Sequence, residues 1–143
     1  MMKKRSTLAV ISAVLCIYSS HTAANQGPVI MDGGLAYIDL LVGTGAVVGP
    51  DSVVVLHITG WLNENGRKGL KFISTYDREK PVAFKVGTDR VMKAWSMGVL
   101  GMRTGGKRRL FVPPELGYGE KSVVKIVPPN AELIFDIELL EVN

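Results

Sequence analysis

Apolar and polar positions alternate most regularly near the C-terminal end of the chain. Across residues 131–142, apolar side chains alternate with polar ones, and Asp136 and Glu138 fall on the polar side. This period of two predicts a half-buried antiparallel strand that holds the two carboxylates on a solvated face. The predicted apolar face comprises Leu133, Phe135, Ile137 and Leu139.

Shorter strand patterns, separated by turn signals, occupy much of the remaining chain. Residues 53–61 are rich in β-branched side chains and predict a strand. Asn65-Gly66 predicts a tight hairpin turn, since both residue types tolerate a positive φ angle. The other predicted strands span 35–42, 72–74, 82–86 and 107–112, and residues 75–80 and 115–127 are predicted to be loops.

A single stretch has helical spacing. Val91, Trp95 and Val99 are four residues apart, so they share one face of a predicted helix. Thr88 or Asp89 could cap its first turn. A glycine near its end costs about 1 kcal/mol inside a helix, which predicts that the helix is short. One helix laid on an antiparallel sheet is an α+β arrangement.

The first 24 residues have the layout of a secretory signal peptide. A basic cluster at residues 3–5 precedes an apolar run at residues 8–18, and small residues at 22–24 predict cleavage after Ala24. An uncleaved membrane anchor is the alternative, but the run is about half of the roughly 20 residues that span a bilayer. We therefore expect an exported protein, periplasmic or secreted, without stable membrane insertion.

Three segments follow from these patterns. We predict a signal peptide at 1–24, a lead-in with the first strand at 25–49, and one folded domain at 50–143. Residues 25–34, at the start of the lead-in, are predicted to be flexible. Removal of the leader lowers the formal net charge from +4 to about +1. The basic character of the whole chain is therefore no reason to infer a nucleic-acid partner. We expect a monomer.

The candidate chemistry is sparse. Cys16 lies in the leader, so the predicted mature chain has no thiol, and His57 is its one histidine. These counts exclude a catalytic triad, a Cys–His pair and a histidine-rich zinc site, and we expect neither metal nor cofactor. His57 is interpreted as a strand residue with a hydrogen-bonded ring. What remains is an apolar inventory suited to binding, or to a reaction without covalent chemistry.

Proline isomerisation is a reaction of that kind. Its barrier of about 18–20 kcal/mol arises because rotation breaks amide resonance. The twisted amide has less charge separation between oxygen and nitrogen than the planar one. A dry apolar pocket therefore favours the twisted state, which is differential binding of the transition state.

A series of short motifs runs through the chain from about Pro50 to Val142. They are His57-Ile58-Thr59-Gly60-Trp61, Phe72 followed by Ser74, Asp77-Arg78, Lys80-Pro81, Val91-Met92-Lys93-Ala94-Trp95, Gly98-Val99, Gly117-Tyr118-Gly119, Pro128-Pro129-Asn130-Ala131 and the strand from Leu133 to Leu140. In this order they resemble the FKBP family of macrolide-binding prolyl isomerases. The resemblance implies a bent antiparallel sheet of about five strands wrapped around one short α-helix. It also implies peptidyl-prolyl cis-trans isomerase activity that assists the folding of exported proteins.

The resemblance further implies which residues form a proline-binding pocket. Trp95 would be the floor under the proline ring, while the Met92 amide and the Tyr118 hydroxyl would donate to substrate carbonyls. The implied walls are Phe72, Val82, Val91, Met92 and Phe135, with Ile126 in the loop above them. The implied ligands are proline-containing polypeptides and macrolides.

Four positions depart from the family pattern. Ile58 replaces the usual tyrosine, Ile73 a common aspartate, Val82 an aromatic wall residue, and Val123 a residue that is often histidine. Ile58 and Ile73 make the predicted substrate-binding surface more apolar, and Ile73 leaves Arg78 without an acidic partner. We expect the altered wall residues to affect the affinity for macrolides more than the fold. Two functions stay open: an isomerase of reduced activity, and a weakly or non-catalytic proline-binding chaperone or interaction module.

Overall fold

The computed structural model describes residues 27–121 and 126–143. Its strands are β1 (Val29–Ile30), β2 (Ala36–Leu41), β3 (Val53–Glu64), β4 (Arg67–Ser74), β5 (Val82–Lys85), β6 (Lys107–Val112) and β7 (Leu133–Val142). One α-helix, α1, spans Lys93–Val99, and short 3-10 turns occupy Asp32–Gly34 and Pro114–Leu116. The predicted signal peptide lies outside the described residues. Within residues 27–121 and 126–143, no helix is long and apolar enough to cross a bilayer.

The strands form one antiparallel sheet in the order β1-β2-β6-β7-β3-β4. The long strand β3 has two partners on its outer edge, because β5 pairs with Val53–Leu56 and β4 with Thr59–Glu64. Register shifts interrupt the pairing of β3 with both β4 and β7. Such irregularities bend a strand and increase its twist, which allows the sheet to wrap around α1.

Helix α1 packs against the sheet through Ala94, Trp95 and Val99, all of which are buried. A Cβ atom at Gly98 would lie 2.4 Å from Leu110 Cδ1 of β6, so only glycine allows this close approach of helix and sheet. On the sheet side, Phe135, Ile137 and other inward residues of β7 complete the core. The α+β fold of an antiparallel sheet wrapped around one short helix is confirmed.

Most predicted strands are confirmed to within a few residues, but the sheet has seven strands where about five were expected. One additional strand, β1, lies in the lead-in that was predicted to be flexible. There Met31 N–H donates to the Leu35 carbonyl oxygen at 2.7 Å, and Val29–Ile30 pairs with β2. Leu35 and Val48 are both buried, so the core of the unit includes residues before position 50.

The predicted start of the helix is wrong. Helix α1 begins at Lys93 instead of near residue 88. The Thr88 hydroxyl accepts a hydrogen bond from Arg90 N–H at 3.3 Å, which closes a local turn ahead of the helix. Val91 and Met92 consequently precede α1 and do not belong to its first turn.

The outer side of β7 is not the simple solvated face that was predicted. Asp136 accepts two hydrogen bonds from the Arg109 guanidinium, at 2.7 and 3.0 Å, and one from Lys68 at 2.9 Å. Burial acts to raise the pKa of Asp136, but these hydrogen bonds outweigh it and hold the pKa below its usual value. The neighbouring Glu138 accepts a hydrogen bond from the Tyr76 hydroxyl. We call these residues the outer ionic network.

The C-terminal end of α1 is closed by a buried arginine. Arg108 of β6 donates through Nη1 to the carbonyl oxygens of Gly98 and Leu100, each at 2.9 Å. Its Nε donates to Asp39 Oδ1 at 2.7 Å, and the guanidinium carbon lies 3.9 Å from the centroid of the Tyr37 ring. The last carbonyls of a helix lack partners within the helix, so Arg108 satisfies groups that burial would otherwise leave unpaired.

Candidate functional site

Five aromatic rings form a continuous chain between α1 and the sheet. Trp95 meets Phe135 edge to face, with ring centroids 5.7 Å apart and an interplanar angle of 88°. Phe135 in turn meets Phe72 at 5.7 Å, and Phe72 meets Tyr118 at 6.0 Å. On the other side of Trp95, the ring of Phe84 lies 6.3 Å away. We call these five residues the aromatic cluster; the sequence had singled out four of them and had missed Phe84.

Gly60 was not singled out as a site residue, yet it makes the cluster possible. A Cβ atom at this position would lie 2.7 Å from Phe135 Cε1 and 2.8 Å from both Phe72 Cζ and Ile73 Cγ2. Such distances are shorter than carbon–carbon contact, so a side chain here would displace the rings. The sequence did contain a feature that could have identified Gly60, because a glycine inside a strand often indicates that another group approaches the backbone closely.

Other predicted wall residues border the cluster. Val82, Val91, Met92 and Ile73 are half-buried and pack against the core, and Ile126 is 44% exposed. Ile58 and Phe135 differ from them because neither has exposed surface. Their side chains pack within the core and therefore meet a ligand only if their neighbours move. The departure at Val123 lies outside the described residues.

Three hydrogen-bond donors of the predicted site have no acceptor among residues 27–121 and 126–143. They are the indole Nε1 of Trp95, which is buried, the backbone amide of Met92, and the hydroxyl of Tyr118. Burial raises the pKa of Tyr118 above its ordinary value, so the hydroxyl keeps its proton at neutral pH and can donate. The Met92 amide and the Tyr118 hydroxyl can therefore donate to a ligand, whereas the Trp95 nitrogen is buried and becomes accessible only if its neighbours move.

The polar residues near the predicted site were interpreted from the sequence with mixed results. His57 lies on the opposite side of the sheet, stacked on Tyr76 with its Nδ1 2.8 Å from Thr75 Oγ1, which confirms a hydrogen-bonded strand histidine. Arg78 is exposed and makes no ion pair within the described part of the chain. The same part contains no group of three or more His, Cys, Asp or Glu side chains that could hold a metal.

The arrangement therefore offers apolar surface and a few donors. The described residues of the aromatic cluster and its walls include no hydroxyl hydrogen-bonded to a histidine or a carboxylate, since the His57–Thr75 pair lies on the other side of the sheet. Such a site can bind an apolar ring and orient adjacent carbonyl groups, and it can favour rotation about an amide bond by binding its twisted state more tightly.

Comparison with known proteins agrees with this chemistry. A family profile described as FKBP-type peptidyl-prolyl cis-trans isomerase matches residues 45–140. An FK506-binding protein of Neisseria meningitidis serogroup B is 44% identical over 110 residues, which cover 77% of this chain and 97% of that protein. The peptidyl-prolyl cis-trans isomerase FPR2 of Saccharomyces cerevisiae is 46% identical over 94 residues, covering 66% of this chain and 67% of that protein.

Solved structures show the same fold. FkpA from Escherichia coli aligns with a TM-score of 0.71 at 33% identity. The alignment covers 99% of this chain and 63% of the FkpA chain. AtFKBP13 aligns with a TM-score of 0.68 at 36% identity, over 81% of this chain and 98% of that one. The family profile, the sequence relatives and the fold agree, and the chain therefore belongs to the FKBP-type peptidyl-prolyl cis-trans isomerases.

Proposed function

We propose that the isomerase activity of this chain resides at the aromatic cluster, with Trp95 as the floor under the proline ring. Phe72, Val82, Val91 and Met92 would form the walls, and the buried Phe135 would join them only if its neighbours move. The observation that carries this proposal is the coincidence of a chain of packed rings with three donors that have no acceptor in the described residues. Of the three, the Met92 amide and the Tyr118 hydroxyl would serve the substrate, and the buried Trp95 nitrogen carries the cost of an unpaired group.

The proposed mechanism needs no covalent step. The prolyl ring packs against the indole of Trp95, and the apolar walls exclude water from the amide. Because the twisted amide has lost charge separation, it loses less solvation in this environment than the planar amide does. The Met92 amide and the Tyr118 hydroxyl would donate to carbonyls on either side of the bond, which orients the peptide around the axis of rotation.

A protease-coupled assay tests this activity directly. The purified protein is expected to accelerate cis-to-trans conversion of short peptides with an apolar residue before proline, a process that takes tens of seconds or more without a catalyst. A folded protein that converts these peptides no faster than buffer would contradict the proposal. The Trp95→Leu variant, checked for folding by circular dichroism, is expected to lose most of the acceleration.

The same site is proposed to bind macrolides, because several relatives are named FK506-binding proteins. Ile73 and Val82 change two of its walls relative to the family pattern. FK506 is expected to inhibit isomerisation competitively with respect to the proline peptide. Inhibition that does not weaken as peptide concentration rises would place the macrolide elsewhere.

A second candidate function is that of a proline-binding module with little turnover. It is favoured by Ile73, which is half-buried beside Gly60 and supplies no polar group to orient a substrate, and by the unpaired Arg78. The variant Ile73→Asp distinguishes the two functions. A large gain in rate over a slow wild type would show that the natural site is a weakened catalyst that acts mainly by binding. A wild type that already accelerates isomerisation, and that gains nothing from the substitution, would support the isomerase.

We also propose that the chain is exported, acts on exported polypeptides and is a monomer. The support for export is the leader pattern in residues 1–24. Mass spectrometry of protein recovered from the periplasm or medium of a bacterial host is expected to give a chain that starts at Asn25. Light scattering after gel filtration is expected to give the mass of one chain. Retention of the full-length chain in the cytoplasm would overturn the proposal of export.

A further inference from the structure

A cleft beside α1 shares no lining residue with the aromatic cluster. Its volume is about 270 Å³, close to the lower limit of about 300 Å³ for ligand pockets. It is bordered by the turn before β3, by the end of β5 and by α1. The lining residues are Pro50, Asp51, Val86, Gly87, Ser96, Met97 and Leu100, none of which belongs to the proposed proline site.

The walls of this cleft are apolar and partly open to solvent. Met97 of α1 and Leu100, the residue after α1, are half-buried, and Val86 forms part of the core. The space above Gly87 is empty, since a Cβ atom built there meets nothing within 4 Å. One polar contact borders this space, in which Gly87 N–H donates to Ser96 Oγ at 3.1 Å. The interior therefore suits a hydrocarbon chain.

One charged group stands at the rim. Asp51 is the only charged residue of the lining, it is exposed, and it makes neither an ion pair nor a hydrogen bond within the described residues. A ligand that fits both parts of the cleft has an apolar stem and a single positive charge at its end. Lysine and arginine side chains have this construction, since they bury their methylene groups along apolar surface and keep the charge in water.

We propose that this cleft accepts the basic side chain of a lysine or arginine in a polypeptide substrate. The methylene stem would pack on Pro50, Met97 and Leu100, and the charged end would pair with Asp51. This inference rests on the proposed function only in that the ligand is a polypeptide substrate. It assigns to the chain a second contact point that selects for positive charge.

Proline-free peptides test the cleft independently of the isomerase site. Acetylated five-residue peptides with lysine, norleucine or glutamate among glycines are titrated into ¹⁵N-labelled protein and followed by NMR. The lysine peptide is expected to shift the amide signals of Asp51, Gly87 and Leu100. Norleucine, which has the stem without the charge, is expected to bind about two- to fivefold more weakly, as for an exposed ion pair. The glutamate peptide is expected to bind most weakly.

The variant Asp51→Asn is expected to abolish the preference for lysine over norleucine. Asparagine tolerates the positive φ of 67° found at this position, so the turn should keep its shape. Asp32→Asn, another exposed aspartate, serves as the control and should keep the preference. Equal binding of the lysine and norleucine peptides, or shifts confined to Met92 and Tyr118, would overturn the proposal. Neither result depends on whether the protein isomerises proline.

Discussion

The two ends of helix α1 treat their polar groups in opposite ways. At the C-terminal end, the carbonyls of Gly98 and Leu100 both accept hydrogen bonds from Arg108, whose charge is balanced by Asp39. At the N-terminal end, the amide of Met92 has no acceptor within the described residues, and the indole nitrogen of Trp95 is buried without a partner. The C-terminal end is thus fully hydrogen-bonded by Arg108, whereas donors at the N-terminal end, which we call the open end, have no acceptor in the described residues.

We associate the hydrogen-bonded end of α1 with stability and the unpaired end with function. An unpaired buried donor costs about 1–3 kcal/mol, and the Trp95 nitrogen, buried without a partner, carries such a cost. The open end is also where the aromatic cluster lies. We propose that the Met92 amide at this end is kept for a substrate carbonyl, and that Arg108 at the other end is the clamp that fixes the helix against the sheet.

Removing the clamp is expected to have the largest effect. Arg108→Met leaves two helix carbonyls and Asp39 without their partner, and the free energy of unfolding is expected to fall by about 3–5 kcal/mol. Urea unfolding at neutral pH measures it. Arg103→Met, which removes a single exposed hydrogen bond to the Gly45 carbonyl, is the control and is expected to change stability by less than about 1 kcal/mol. A loss at Arg108 no larger than this control would remove the contrast between the two helix ends.

Filling the space under the aromatic rings is expected to damage the open end. Gly60→Ala would place a methyl group 2.7 Å from Phe135, so we expect a loss of about 1–3 kcal/mol in the free energy of unfolding and a lower kcat/KM as the rings shift. Gly49→Ala, where the nearest atom is 3.9 Å away, serves as the control. Unchanged activity in a folded Gly60→Ala protein would show that the positions of the rings do not matter for turnover.

Two tyrosines sharpen the comparison between unpaired and paired groups. The hydroxyl of Tyr118 has no acceptor in the described residues, so Tyr118→Phe is expected to leave stability within about 0.5 kcal/mol while kcat/KM falls about two- to tenfold. The hydroxyl of Tyr76 donates to Glu138 on the other side of the sheet, and Tyr76→Phe is expected to lower stability without changing kcat/KM. The opposite assignment of the two losses would contradict the account.

The smallest effect is expected in the outer ionic network, as a function of pH. The pKa of Asp136 is lower in the folded protein than its ordinary value of about 3.9, so its contribution to stability is present above that pH and is lost as pH falls through the folded pKa. Asp136→Asn is expected to cost about 1 kcal/mol at pH 7 and less near pH 3, measured by urea unfolding. A cost that does not depend on pH would show that the charge of Asp136 is irrelevant.

Local patterns in the sequence predicted most of the sheet and failed where distant residues decide the structure. Alternation was sufficient for β7, because a strand buried on one face repeats every two residues. The predicted start of α1 was wrong because the Thr88 hydroxyl accepts a hydrogen bond from Arg90 N–H in a local turn and does not cap the helix. The propensity of a single residue for capping does not reveal such a turn. The pairing of Asp136 with Lys68 and Arg109 was missed because it depends on strand order and not on local pattern.

The candidate site was identified through the family resemblance and not through periodicity. Trp95 shares its helical spacing with Val99, which is an ordinary core residue, so spacing alone could not separate the two. The roles of Gly60 and Phe84 depend on contacts across strands that are remote in sequence. The same limit explains Ile58, which occupies a pocket position in the motif but is fully buried here.

The most direct test of the account is an NMR titration of ¹⁵N-labelled protein with a short proline peptide. If the free donors exist for the substrate, the amide signal of Met92 is expected to move downfield as it donates to a carbonyl, and the indole N–H signal of Trp95 is expected to change with the same saturation curve. Catalysed exchange between cis and trans peptide with both signals unchanged would show that proline is isomerised elsewhere on the molecule.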